Sequence, residues 1–105
     1  MTKEEITTFE LEVLELLKEV MDPEIEINIV DLGLIYGVDY DGDKKIDIEL
    51  TFSTPACPLG DTIVSNVVEV IKQKHPDMTT NVEVVFDPPW SAELVSEEGK
   101  MILGL

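Results

Sequence analysis

The chain has 105 residues, 44% of them hydrophobic and 29% charged, which suits one domain spanning residues 1–105 with enough apolar mass for its own core. Asp and Glu number 23 against 7 Lys and no Arg, for a formal net charge of −16. That balance excludes a nucleic-acid backbone or an anionic membrane surface as partner, and the missing Arg removes the usual bidentate clamp for phosphate.

No apolar run approaches the roughly 18–20 residues needed to cross a bilayer. The opening MTKEEITTFE lacks the apolar stretch of a secretory signal, so the expected location is the cytoplasm. One cysteine, Cys57, rules out an internal disulfide and a four-cysteine metal site within one chain.

Ile6, Phe9, Val13, Leu16, Leu17 and Val20 recur at helical spacing and predict a first amphipathic helix. Thr7 with Glu10, or earlier Thr2 with Glu5, has the spacing of a capping box. Asp22-Pro23 is expected to stop the helix, since proline disfavours helical backbone at the residue before it. Ile29 to Tyr40 reads as a first strand, with Gly33 as a later alternative start. Asp41-Gly42 marks a hairpin turn. From Lys45 to Phe52, apolar and polar residues alternate, as in a half-buried antiparallel strand.

Pro58 is suited to the first turn of a second helix, which Ile63, Val67 and Ile71 carry to Lys74 or His75 before Pro76. Val82 to Phe86 reads as a third strand, and the helix before it makes a parallel pairing with one of the first two expected. Asp87-Pro88-Pro89 then presents Trp90, and Ser91 is expected to cap a short helix closed by Gly99. Met101 to Leu105 forms an apolar tail. The predicted fold is α+β in the order α-β-β-α-β-α: a small mixed sheet of about three strands with helices on one face.

Four groups of residues are candidates for chemistry. Cys57 stands just before a predicted helix start, where free N–H groups favour a thiolate, although Asp61 one turn on would oppose it. The alternative is a small packed residue. Asp22 and Glu24, with Glu26 and Asp31 nearby, could bind a metal or could be solvated surface. Thr51 and Thr54 flank the cysteine loop and offer hydroxyls, or simply satisfy strand and loop preferences. Trp90 is either a partner anchor or a core residue. His75 reads as structural, at a helix C-terminus roughly 27 Å from Cys57 at 1.5 Å per residue, so a cysteine–histidine hydrolase is not expected. Glycine-rich phosphate loops and nucleophile elbows are absent, and no enzyme activity is expected.

Asp22-Pro23-Glu24, Ile29 to Ile35, Leu50 to Pro58 and Pro89-Trp90, in that order, resemble the small metal–sulfur cluster assembly proteins. These comprise the SufT-like and PaaD-like proteins and their eukaryotic cytosolic cluster-targeting relatives. The resemblance implies the iron–sulfur cluster assembly fold and a role in maturing iron–sulfur proteins. It implies Cys57 as a cluster ligand, with Asp22 and Glu24 as a second family feature. Thr51 and Thr54 join them as candidate assisting groups.

Clusters are held by about four ligands, mostly thiolates. One chain supplies one, so the expectation is transient holding of an iron–sulfur cluster, bridging a homodimer, between a scaffold or donor and client apoproteins. Two alternatives accompany this. One is a metal-free adaptor between donor and client that uses Trp90 and the apolar tail. The other is an accessory subunit of a multicomponent ring-hydroxylating oxygenase, as the PaaD-like branch implies.

Overall fold

The first helix starts where the earlier of the two capping boxes lies. Thr2 Oγ1 accepts from the Glu5 N–H at 3.1 Å, and Glu5 Oε1 accepts from the Thr2 N–H at 3.2 Å. Two of the helix's unpaired N-terminal donors are thereby satisfied. The structure is a computed structural model and describes residues 2–22, 25–52 and 60–104. Helix α1 spans Lys3–Leu17 and buries Val13 and Leu17.

Helix α1 ends earlier than Asp22-Pro23. Ile29 donates to the Val20 carbonyl and Asp22 to the Ile27 carbonyl, each at 2.9 Å, and Met21 bridges Asn28. Pairing with the returning chain draws residues 20–22 out of the helix before the proline acts.

Strand β1 spans Ile35–Tyr40, so the expected start at Ile29 is too early. Residues 28–34 form turns instead, with Leu32 donating to the Asn28 carbonyl and Leu34 to the Ile29 carbonyl, each at 3.0 Å. Ile27, Ile29, Leu32 and Leu34 are all buried, so their apolar character reflects core burial in a turn rather than a strand. Extended pairing begins only after Gly33, whose φ of +83° suits glycine.

Strand β2, Lys45–Leu50, pairs antiparallel with β1 across the Asp41-Gly42 turn. Ile46, Ile48 and Leu50 are buried while Lys45 and Glu49 are exposed, as the alternation predicts.

Helix α2 spans Gly60–Lys74 and buries Ile63, Val67 and Ile71. The predicted start at Pro58 lies outside the described residues. Strand β3, Thr79–Val84, pairs parallel with β2 from Lys45↔Thr79 to Leu50↔Val84. The expected third strand was displaced towards Phe86, because composition marks apolar residues whereas this register recruits Thr79 to Asn81 as well.

The sheet order is β1-β2-β3. Helices α1 and α2 contact one another and pack against β1 and β3 respectively. Their apolar stripes and the Ile46–Ile48–Leu50 face form one core cluster.

After β3 the chain makes a short 3-10 turn at Ala92–Leu94, and helix α3 follows over Glu97–Leu103. This replaces the single Ser91-capped helix. Ser96 is the cap, with Oγ accepting from the Gly99 N–H at 3.0 Å. Gly99 lies inside the helix and Gly104, at φ +76°, ends it. Among the described residues no helix is long and apolar enough to cross a membrane.

Candidate functional site

The Asp22 carboxylate lies within a tight reversal. Its Oδ1 accepts from the Ile25 N–H at 3.2 Å, and its backbone carbonyl accepts from the Glu26 N–H at 2.8 Å. Glu26 takes a positive φ of 64° to complete the turn. Asp22 is only 1% exposed, so it is not one of the solvated acids that dominate this chain. Burying a carboxylate costs far more than leaving it in water unless donors surround it.

Thr51 is the other buried polar residue among those described, also 1% exposed. It stands just past β2, and its N–H donates to the Leu34 carbonyl at 2.8 Å. Three successive backbone bonds tie the two places together: Thr51 to Leu34, Leu34 to Ile29, and Ile29 to Val20. These bonds link Thr51, at the carboxyl end of β2, to the segment that leads into Asp22. In sheets with parallel strands, that end is where ligand sites gather.

The described residues stop at Phe52 and resume at Gly60. A Cβ on Gly60 would come within 2.6 Å of the Phe52 ring, so the start of α2 sits directly against that ring. Phe86 closes on Phe52 edge-on, with ring centroids 6.1 Å apart. Of the predicted site residues, Glu24, Thr54 and Cys57 lie outside the described residues. Among the described residues, no three His, Cys, Asp or Glu side chains are grouped to hold a metal ion.

Trp90 is half-buried against the core, and its indole Nε1–H donates to the Leu32 carbonyl at 2.7 Å. It is one of several ties that hold the C-terminal segment onto the Asp31-Leu32-Gly33 turn. Ser96 donates its N–H to the Asp31 carbonyl at 2.7 Å and its hydroxyl to Asp31 Oδ1 at 3.0 Å. Asn28 Nδ2 donates to Asp31 Oδ2 at 2.7 Å. A Cβ on Gly33 would collide with the Leu94 carbonyl. Tyr36 adds its hydroxyl to the Pro88 carbonyl at 2.7 Å.

Asp31 was grouped with the acidic loop on sequence, and its place in this clamp was missed. The Asn28–Asp31 spacing, typical of side chains that bond the backbone three residues on, was the available signal.

The element order and the three-stranded mixed sheet define a small α+β domain. The family model for iron–sulfur cluster assembly proteins matches residues 10–84, and the chain belongs to that family. The Bacillus subtilis Fe-S protein maturation auxiliary factor YitW is 37% identical over 89 residues, covering 85% of this chain and 87% of that protein. The Staphylococcus aureus Fe-S protein maturation auxiliary factor SufT is 35% identical over 86 residues, covering 82% and 98%. A crystal structure from Bacillus anthracis, described as a domain of unknown function, DUF59, superposes with a TM-score of 0.94. It is 35% identical and 99% of each chain is covered.

Proposed function

We propose that this chain is a maturation factor for iron–sulfur proteins. It takes up an iron–sulfur cluster, or iron, as cargo through the Cys57 thiolate and passes it to client apoproteins. Family membership and the names of the two relatives support the maturation role. The structural observation that supports the reading is that Asp22 and Thr51 are the two buried polar side chains among the described residues, Thr51 standing six positions before Cys57 in the sequence.

A cluster needs about four ligands. Two copies of the chain would supply two thiolates. Asp22, Glu24, Thr51 and Thr54 would serve as weaker oxygen ligands or as hydrogen-bonding groups that orient the thiolate. Such a site is under-ligated, which favours release over retention. The donor would be a cluster scaffold, and the expected setting is the cytoplasm.

The test is anaerobic reconstitution with iron and sulfide, comparing wild type with Cys57→Ala by absorption, Mössbauer spectra and mass. A stoichiometric cluster in a wild-type dimer, lost in the variant, is the expected result. No cluster in either protein would overturn the carrier reading.

A second reading, a metal-free adaptor between donor and client, is favoured by one observation. Met101 and Ile102 on α3 are 81% and 70% exposed. Apolar side chains so placed suit contact with another protein. Client maturation that persists in Cys57→Ala and fails in a Met101→Ser, Ile102→Ser variant would select this reading.

A further inference from the structure

Among the described residues, strand β1 is an edge of the sheet. Asp41 donates to the Lys45 carbonyl, and Cα pairing continues through Asp39↔Asp47 and Gly37↔Glu49. In an antiparallel ladder the hydrogen-bonded pairs alternate, so the backbone groups of Val38 and Tyr40 point away from β2. The Tyr40 N–H is met by Glu10 Oε2 of α1 at 2.9 Å. Among the described residues nothing bonds the N–H or the carbonyl of Val38.

Beside this edge runs a groove of about 260 Å³, lined by Glu10, Leu11 and Leu14 of α1 and by Ile35, Tyr36 and Val38 of β1. Leu11 is 59% exposed. Among the described residues, Glu10 carries the only charge in the lining.

We propose that this edge is a docking site for an extended, basic segment of a partner protein, which adds to the sheet as a strand alongside β1. Unpaired backbone groups on a strand edge call for another strand, since only an extended chain presents donors and acceptors at matching intervals. Successive side chains of such a strand point to opposite faces, so every second one falls on the α1 side against Leu11 and Leu14. The sign of the partner follows from Glu10 in the groove and the net charge of −16. A second copy of this chain is disfavoured, because it would bring the same charge and a second Glu10 to the seam. The inference is independent of Cys57 and of what the protein carries.

The probe is a blocked seven-residue peptide alternating valine and lysine, titrated into the 15N-labelled full chain. Saturable shifts at Tyr36, Gly37 and Val38 are expected. N-methylation of alternate peptide residues removes the N–H groups that would face β1, and binding should weaken about tenfold. Leu11→Lys, at an exposed position that tolerates substitution, should weaken binding as well. A valine–glutamate peptide should not bind.

Four results would overturn the proposal. The N-methylated peptide could bind equally well, or the shifts could scatter over the acidic surface. Binding could fail to saturate at millimolar peptide, because recognition here rests on backbone and charge rather than on a particular sequence. Finally, concentration-dependent shifts at Val38 without peptide would assign the edge to self-association.

Discussion

Gly33 is held by two constraints at once. Its φ of +83° disfavours any side chain, and a Cβ there would meet the Leu94 carbonyl carbon at 2.7 Å. Left-handed backbone alone costs an ordinary residue about 1–2 kcal/mol, and the collision with backbone cannot be relieved by a rotamer change. Gly33→Ala is expected to lower stability by at least about 2 kcal/mol, or roughly 10 °C in Tm for a domain this small. An unchanged Tm would show that the C-terminal segment can lift off the turn at no cost. Trp90→Phe keeps the ring packing but leaves the Leu32 carbonyl without its donor, for an expected loss of about 1 kcal/mol by chemical denaturation. At this scale the sequence was half legible. The Asp31-Leu32-Gly33 run stood out in the resemblance, but its partners Trp90, Leu94 and Ser96 lie about sixty positions away, and no local spacing pairs them.

Elements whose signals are local were read well. The Asp41-Gly42 turn and the Lys45–Leu50 alternation each involve side chains within a few positions of the backbone they control, whereas of the two capping boxes the alternative, Thr2–Glu5, starts the helix and Thr7 lies within it, its hydroxyl donating to the Lys3 carbonyl. Asp41 shows how such a signal acts. Its Oδ1 accepts from the N–H of Asp43 at 2.8 Å and of Lys45 at 3.1 Å. These backbone donors, that of Asp43 first, hold its carboxyl below the usual 3.8. A depressed folded value means that the charged form stabilises the turn. That contribution is complete well above pH 3.8 and is lost as pH falls through the lower folded value. Protection of the Asp43 and Lys45 amides, taken relative to the intrinsic exchange rate at each pH, should therefore fall as pH drops below 3.8, and Asp41→Asn should remove most of that dependence. An identical pH response in the variant would assign it to other carboxyls. The Thr2 N–H and hydroxyl lower Glu5 in the same direction. By contrast, the start of β1 stayed open between Ile29 and Gly33, because Ile29, Leu32 and Leu34 are apolar for burial in a turn and periodicity cannot tell that from a strand; the later start is the one closer to Ile35.

Over the whole molecule, charge is poorly compensated. Among the described residues only Lys18–Glu15 at 3.2 Å and Lys45–Asp47 at 4.0 Å form ion pairs, and neither is buried. Surface pairs of this kind contribute little. Twenty-three acids against seven lysines leave net repulsion in the folded state. Raising sodium chloride from 0.01 M to 1 M shortens the screening length from about 30 Å to about 3 Å and should raise Tm by about 5 °C. A fall in Tm would mean that attractive pairs outweigh the repulsion.

The sequence by itself determined the element order, the mixed sheet with a parallel third strand, the acidic surface and the motifs that mark the family. Each of these follows from local periodicity, turn chemistry, composition or a recognisable run of residues. Only the tertiary structure decided that α1 yields to the Val20–Ile29 pairing, that β1 waits for Gly33, that Trp90 spends its indole N–H on Leu32, and that Asp22 and Thr51 are both buried. The physical reason is the same throughout. Burial and long-range hydrogen bonds depend on which distant segments meet, and that meeting is set by the packing of the core as a whole.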